Sequence, residues 1–366
     1  MYALACSWSA RTGDNKTSIT IAGLDENIGA ALDIVEDLLK NASPDEEVLS
    51  GLKEDELKSR EDTKLNQRAC QRALSSYLRY GPEYVAATRL KNSELATLSS
   101  EQLLGKISEL LDCAHRVLYY GPSSLHDLKK TLDDHHYVAE EPQPLELKYA
   151  VRKVVTAPEV LVAQYDARQF NYTQYSNRGE KFDLGQDAAI DLFNEYFGGG
   201  MNTIVFQEMR ESRALAYSAG ATLSSPSFKD DTYAFYAMIG SQNDKLRKAV
   251  EAFDEIINDM PKSEKAFDIA KTAMESKLRT ERTTGARVLY KFVSDREMGA
   301  GYDRDRLRFE ALPGLTLDDL SATQEKWVKG RTYIYGILGD TADLDMDYLS
   351  TLGPVRILSL DEIFGY

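Results

Sequence analysis

The sequence predicts an α+β protein in which one arrangement of strands and helices occurs twice. Residues 2–60 can be laid on residues 217–279, where the offset is 217 at Gly23; further on, residues 95–99 fall on 312–316, again at an offset of 217. The offset is 216 at Asp14, so a single insertion accounts for the difference. Self-similarity over a long, constant offset favours duplicated domains. A length of 366 residues also fits two domains better than one core.

Each copy begins with a strand and continues into an amphipathic helix. The strand pattern is clearest in Thr232–Ile239, where side-chain character alternates with period two. In the helix, apolar residues recur every three or four positions. They are Ile28, Leu32, Val35 and Leu39 in the first copy and Leu246, Val250, Phe253 and Ile257 in the second.

A long charged helix follows in each copy, over about 45–79 and about 263–296. Its alternating charges predict a solvated face and one apolar stripe. A short helix comes next, and the patterns Ser99-x-x-Gln102 and Thr316-x-x-Asp319 resemble capping boxes that start it. A closing apolar strand is then expected, ending at Gly121 in the first copy and Gly339 in the second.

The two copies are unequal, because residues of about 151–216 have no counterpart before Tyr2. We therefore expect a truncated domain over 1–125, an extended polar linker over 126–150, a complete domain over 151–345 and a C-terminal tail over 346–366. The missing elements would come from a longer polypeptide, which is the favoured interpretation, or from a partner. The alternative is two unrelated α+β segments of similar length.

Composition excludes some functions. A net charge of −15 argues against nucleic-acid binding, which needs a clustered basic surface. Solubility explains the charge, and an acidic chamber attracting cationic peptides is the alternative. A membrane partner is not expected, since no run of about 18 apolar residues occurs. The three cysteines, Cys6, Cys70 and Cys113, have no metal or redox spacing and are predicted to be small buried hydrophobes, which leaves the compartment open.

A triple-glycine break, Gly198-Gly199-Gly200, is the most distinctive local feature. It should end a helix of about 186–197, with glycine allowing a positive φ at the C-cap. Asn202 or Thr203 can cap the next helix, which carries Arg210. A strand then opens at Tyr217. A phosphate-binding loop is excluded, because the Gly–Lys–Ser/Thr ending is missing.

The segments 192–201, 206–211 and 215–218 around this break resemble the non-zinc half of the pitrilysin/insulinase family of zinc metallopeptidases. The resemblance covers 151–345 well and 1–125 more weakly. It implies repeated α+β domains that close like a clamshell around a peptide. It also implies a zinc ion in the other half, on an inverted His-x-x-Glu-His helix.

By this resemblance Arg210 and Tyr217 correspond to the arginine and tyrosine that reach the zinc-bound substrate. A fixed phenol can stabilise the oxyanion, typically by about 10²–10³ in rate, and a guanidinium can bind a substrate carbonyl. Gly199 and Gly200 complete the predicted substrate-binding set. The alternative is an arginine paired with Glu211 or Glu208, beside a tyrosine that only begins a strand.

No metal site is predicted in this chain. Its four histidines are His115, His126, His135 and His136, and none begins the zinc motif. The pair His135-His136 is predicted to be solvated. The zinc is therefore expected in a missing N-terminal half or a partner subunit, and this chain alone should be inactive. The predicted function is the substrate-clamping portion of a zinc metallopeptidase that cleaves peptides; the alternative is an inactive scaffold or processing-complex partner of the same fold.

Overall fold

The computed structural model describes residues 1–13, 16–144, 151–228 and 230–366. Its strands are β1 (Ser7–Thr12), β2 (Thr17–Ala22), β3 (Glu159–Gln164), β4 (Gln169–Ser176), β5 (Ser218–Ser224), β6 (Ala234–Gln242), β7 (Ile334–Gly339) and β8 (Val355–Leu358). Its helices are α1 (Ile28–Asn41), α2 (Glu46–Lys64), α3 (Gln67–Tyr80), α4 (Pro82–Thr88), α5 (Asn92–Thr97), α6 (Ser100–Ser108), α7 (Leu125–His135), α8 (Asp187–Phe197), α9 (Ile204–Phe206), α10 (Leu246–Asn258), α11 (Glu264–Thr280), α12 (Arg287–Glu297), α13 (Arg304–Ala311), α14 (Leu317–Trp327), α15 (Met346–Leu352) and α16 (Leu360–Phe364). The predicted α+β class is confirmed.

The chain divides into two compact units whose boundaries differ from the predicted ones. One unit comprises Met1–Asp62 with Leu90–Ala150, and the other comprises Thr63–Arg89 with Val151–Tyr366. Helices α3 and α4, predicted from sequence to belong to the first copy, are therefore part of the second unit. None of the helices in the described ranges is long and apolar enough to cross a membrane.

The second unit is built on a six-stranded sheet in the order β5-β6-β4-β7-β3-β8. Strand β7 is parallel to β3 and antiparallel to β4. Strands β4, β6 and β5 continue the sheet in antiparallel pairs. All six residues of β7 are buried, because helices cover both faces of the sheet at this point.

The main core lies on the sheet face that packs against α8, α10, α11 and α14. Buried aromatic side chains from strands and helices meet there, and they include Phe170, Tyr172, Phe193, Phe197, Phe235 and Phe253. Burial raises the pKa of the Tyr172 phenol well above its ordinary value. This hydrophobic layer holds α8 firmly against the sheet, which fixes the direction in which the glycine break leaves the helix.

Helix α3 packs on the opposite face, against β7 and β4. Its side chains Leu74 and Leu78 are almost completely buried. A Cβ atom added to Gly336 of β7 would lie only 2.4 Å from Cδ1 of Leu78. Gly336 therefore allows the helix to approach the sheet closely. The hydrogen bond from Nε2 of Gln71 to Oγ1 of Thr173 (2.8 Å) adds a polar contact to this layer.

The predicted long charged helices are each two helices. The first breaks between α2 and α3, where the Asn66 side chain accepts a hydrogen bond from the Ala69 amide (3.0 Å) and caps α3. The second breaks between α11 and α12. An asparagine side chain offers the backbone a cap that competes with continuing the helix, which explains the first break.

The C-terminal segment, predicted as a tail, is part of the fold. Strand β8 pairs parallel with β3, with Val160 opposite Val355, and α16 contacts α3 and α4. β8 thereby satisfies the main-chain groups on the outer side of β3, which would otherwise form an exposed sheet edge.

The first unit contains the antiparallel hairpin β1–β2, with Ser7 opposite Ala22.

Both predicted capping boxes are confirmed, at Ser99–Gln102 and at Thr316–Asp319. The predicted strand ending at Gly121 is wrong, because residues 114–120 form no strand. The segment predicted to correspond to it, β7, is a strand and lies between β3 and β4.

The predicted extended linker begins instead with helix α7, which the Ser124 side chain caps; residues 145–150 lie outside the described part. The two histidines at the end of α7 are not merely solvated. Nδ1 of His135 lies 2.9 Å from Oδ1 of Asp33, and Nδ1 of His136 lies 2.7 Å from Oε1 of Glu36. These contacts join α7 to α1. The three cysteines are free thiols; Cys6 and Cys70 are buried as predicted, and Cys113 is half-buried.

Replacing Leu78 with alanine should destabilise the second unit by about 2–5 kcal/mol, because it leaves a cavity between α3 and β7. Chemical denaturation followed by the fluorescence of buried Trp327 in a Trp8→Phe background reports on this unit alone, since the chain has only two tryptophans. The matched control is Leu65→Ala, whose side chain is 78% exposed. Equal midpoints for the two variants would show that α3 does not contribute to this core.

Candidate functional site

The glycine break follows α8, and its first residue has a role different from the predicted one. Gly198 has φ −149°, so it does not adopt the left-handed conformation. Its carbonyl accepts a hydrogen bond from the Ala221 amide of β5 (3.3 Å). A Cβ atom at this position would lie 2.3 Å from the Ala221 carbonyl oxygen. Glycine is therefore required for close backbone approach.

Asn194 extends this contact along the edge strand β5. Its Nδ2 donates to the Leu223 carbonyl (3.0 Å), and its Oδ1 accepts from the Leu223 amide (2.8 Å). Together with Gly198, the asparagine satisfies main-chain groups on the outer edge of the sheet. This part of β5 is therefore protected from pairing with another strand.

The two predicted substrate-binding glycines lie at the start of the loop. The Gly199 amide donates to the Asn194 carbonyl (2.7 Å), and the Gly200 carbonyl accepts from Oγ1 of Thr203 (2.7 Å). Thr203 is the N-cap residue of α9, but its hydroxyl bonds back to the loop. A Cβ atom on Gly200 would meet nothing within 4 Å, so this residue borders open space.

Helix α9 runs directly into a π-helical turn, Gln207–Ser212, which carries Arg210. The turn is anchored by Met209, whose side chain is fully buried and whose carbonyl accepts from the amides of Leu215 and Ala216 (2.9 and 3.3 Å). Ala214 then adopts a left-handed conformation with φ 49°. Such conformations and π-turns are both enriched at functional sites.

The structure brings the two predicted catalytic residues together. Tyr217 precedes β5, and its amide donates to the Gly240 carbonyl (2.8 Å), while its side chain is 73% exposed. The Arg210 guanidinium lies 5.8 Å from the centre of the Tyr217 ring and 5.0 Å from the Phe206 ring. Its charged neighbour is Glu211, at 3.6 Å. Both functional groups therefore reach solvent from a fixed backbone.

Arg213 is a supporting residue that the sequence analysis missed. Its Nη1 and Nη2 atoms bond the two carboxylate oxygens of Glu255 (2.8 and 3.2 Å), and its Nε lies 3.6 Å from Glu208. The hydrogen bond from Arg213 lowers the pKa of the Glu255 carboxyl, and the same contact raises the pKa of Arg213. Glu208, predicted as an alternative partner of Arg210, is thus directed to Arg213. Glu255 is distant in sequence, so no local pattern could identify this pair.

Comparison with known proteins identifies the fold around this site. Residues 117–274 match the family described as the peptidase M16 inactive domain. This segment of the chain is similar to the peptidase M16 inactive domain. This confirms the family resemblance drawn from the segments around the glycine break. No curated protein matches the chain.

Solved structures of similar fold include a peptidase M16 inactive domain from Pseudomonas fluorescens, with 16% identity and a TM-score of 0.67 over 93% of this chain and 82% of that one. The periplasmic protease PqqL from Escherichia coli has 11% identity and a TM-score of 0.66 over 93% of this chain and 38% of its own. The ferredoxin protease FusC, solved with Arabidopsis ferredoxin, has 13% identity and a TM-score of 0.70 over 93% of this chain and 37% of that one. The chain thus spans little more than a third of the length of these two proteases.

The arrangement at this site provides hydrogen-bond donors. Arg210 can offer a planar set of N–H groups and Tyr217 a hydroxyl, and both suit carbonyl oxygens. In the part of the chain that the structure describes, no group of three or more His, Cys, Asp or Glu residues could hold a metal ion. The two exposed donors can polarise a carbonyl oxygen that comes within hydrogen-bond distance of them.

Replacing Gly198 with alanine should lower stability by about 1–3 kcal/mol, because the new methyl group overlaps the backbone of β5 and forces α8 and the strand apart. Thermal unfolding measures the effect. Gly200→Ala is the matched control, since the space around that position is open, and it should leave the melting temperature nearly unchanged. A Gly198→Ala variant as stable as the control would contradict the close approach.

Proposed function

We propose that this chain is the substrate-clamping, non-zinc portion of a zinc metallopeptidase that cleaves peptides. Arg210 and Tyr217 act on a substrate whose scissile bond is held at a zinc ion outside this chain. Residues 1–125 are, in this proposal, a truncated peptidase-like domain, and residues 151–345 correspond to a complete one.

The observation that carries the proposal is the different state of the two arginines in one turn. Arg213 is held by Glu255 and Glu208, and it stabilises the turn. Among the described residues, Arg210 has one ion pair, a longer contact to Glu211, and it lies beside the exposed ring of Tyr217. An exposed ion pair of this kind contributes little, about 1 kcal/mol or less. Arg210 is therefore the arginine available to a ligand.

The proposed roles follow from the chemistry of amide hydrolysis. Attack of water on a peptide carbonyl places negative charge on its oxygen, and a preorganised donor is most effective where that charge develops. The Tyr217 hydroxyl supplies this donor. The Arg210 guanidinium binds a neighbouring carbonyl of the extended peptide and fixes its register. The loop at Gly199 and Gly200, which borders open space, lets the peptide backbone pass close by.

The similarity to longer proteases supports a zinc-bearing part outside this chain. FusC is a protease solved with a polypeptide partner, ferredoxin, which suits a fold that receives polypeptides. We expect a His-x-x-Glu-His module in the same reading frame or in a neighbouring gene. Absence of such a module from both places would favour the scaffold function instead.

In the peptidase assembled from this chain and its zinc-bearing part, Tyr217→Phe should lower kcat/KM by about 10²-fold, because the hydrogen bond to the oxyanion is lost. Steady-state cleavage of a fluorogenic peptide measures the change. Tyr302→Phe is the control, since Tyr302 is 51% exposed and its hydroxyl bonds only Glu310 among the described partners. An unchanged kcat/KM in Tyr217→Phe would remove Tyr217 from the site.

Arg210→Ala should weaken binding of an unstructured peptide to the isolated chain by about tenfold, which corresponds to loss of a charge-assisted hydrogen bond. Fluorescence anisotropy of a labelled peptide measures the affinity. Arg306→Ala is the control, because Arg306 is also exposed and pairs with Glu310 within one helix. If Arg210→Ala and Tyr217→Phe both leave binding and cleavage unchanged, the chain acts as an inactive scaffold of the same fold, in keeping with the family's description as an inactive domain.

A further inference from the structure

We propose that His115 and His136 form a binding site for a divalent transition-metal ion of the Zn²⁺ or Ni²⁺ class. His115 lies in the segment after α6, and His136 directly follows α7. Their Nε2 atoms are 2.9 Å apart. The two residues are separated by the whole of α7, so no sequence spacing indicates that they meet. The site uses none of the residues proposed to bind peptide, and its test is independent of that function.

The hydrogen bonds of the other ring nitrogens determine what the facing nitrogens can do. Nδ1 of His115 lies 3.0 Å from the carbonyl oxygen of Cys113, and a carbonyl only accepts. Nδ1 of His136 lies 2.7 Å from the Glu36 carboxylate, which also accepts when ionised. Both Nδ1 atoms therefore carry hydrogen. In two neutral rings the facing Nε2 atoms then present lone pairs to each other, and a cation between them removes this repulsion.

The same hydrogen bonds are the ones that metal-binding histidines normally make. A histidine ligand almost always donates its other N–H to a carboxylate or a backbone carbonyl, which fixes the tautomer and the ring orientation. His136 has the carboxylate of Glu36, and His115 has the carbonyl of Cys113. The supporting contacts of a metal site are thus already present.

The distance between the two Nε2 atoms is close to the distance that two histidine nitrogens have when they bind the same zinc ion. Two Zn–N bonds of about 2.0–2.1 Å in a tetrahedral site separate their nitrogens by roughly 3.3 Å. The rings need to move apart by only a few tenths of an ångström. The His115 side chain is exposed, and the His136 side chain retains 18% exposure, so both the movement and entry of the ion are possible.

The two histidines line a cavity of about 540 Å³, together with Ala114, Val117, Leu132, Asp133, Val138 and Pro142. No third protein ligand completes the site among the described residues. Solvent therefore occupies the remaining coordination positions, and binding is weaker than at a structural site with four protein ligands. Bound metal would link the segment at 113–115 to the end of α7 and, through Glu36, to α1.

The test is isothermal titration of the tag-free chain with ZnCl₂ and, separately, NiCl₂ at pH 7.5. One ion should bind per chain. His115→Ala and His136→Ala should each weaken binding by more than tenfold, and Glu36→Gln by about tenfold, because second-shell changes typically cost 10–100-fold. His126→Ala is the matched control: this exposed histidine of α7 is not part of the site, and its variant should bind as the parent does.

Circular dichroism verifies that each variant is folded. In the parent chain, X-band EPR with Cu²⁺ should show two equatorial imidazole nitrogens, and one of them should disappear in either histidine variant. Absence of binding to the folded parent chain would show that the pair holds a shared proton only. Equal affinity of His115→Ala, His136→Ala and parent would show adventitious binding elsewhere. Either result overturns the proposal.

Discussion

The sheet of the second unit depends on the pairing of strand β7 with a neighbour on each side. Strand β7 comes late in the chain, yet it lies between β3 and β4, which both precede the glycine break. Its register is set on both sides: Ile337 lies opposite Val162 of β3 and opposite Tyr172 of β4. A buried central strand must satisfy its main-chain groups with two neighbours. In the first unit, the segment 114–120, which was predicted to be a strand, pairs with no strand among the described residues and is irregular.

The candidate site inherits its geometry from this sheet through main-chain contacts. The aromatic core holds α8, and Gly198 brings the end of that helix against Ala221 on β5. The turn that follows is fixed by the buried Met209 and by the hydrogen bond from the Tyr217 amide. Because these anchors are backbone groups and one apolar side chain, the polar ends of Arg210 and Tyr217 are left available. A site prepared in this way loses little conformational entropy when a ligand binds.

The parts of the structure that could be predicted are those encoded by neighbouring residues. The capping boxes at Ser99 and Thr316 were predicted correctly, since each needs only four consecutive positions. The pairing of β8 with β3 could not be predicted, because hydrogen bonds between parallel strands leave no local signature. The pairs Arg213–Glu255 and His115–His136 were missed because their members are distant in sequence. Gly198 was correctly identified as special, but only the structure distinguishes close backbone approach from a left-handed cap.

The contrast between Arg210 and Arg213 shows why composition alone cannot assign a functional arginine. They are three positions apart, and acidic residues lie near both in sequence. Arg213 meets two carboxylates, one of them on α10, and releasing it would leave both acids without their partner. In the part of the chain that the structure describes, Arg210 lies near two aromatic rings and pairs with one half-exposed carboxylate at 3.6 Å. A substrate carbonyl can replace that contact at little cost, because an exposed ion pair is already screened by solvent. The distribution of acids in three dimensions therefore separates the arginine that stabilises the turn from the arginine that we propose binds substrate.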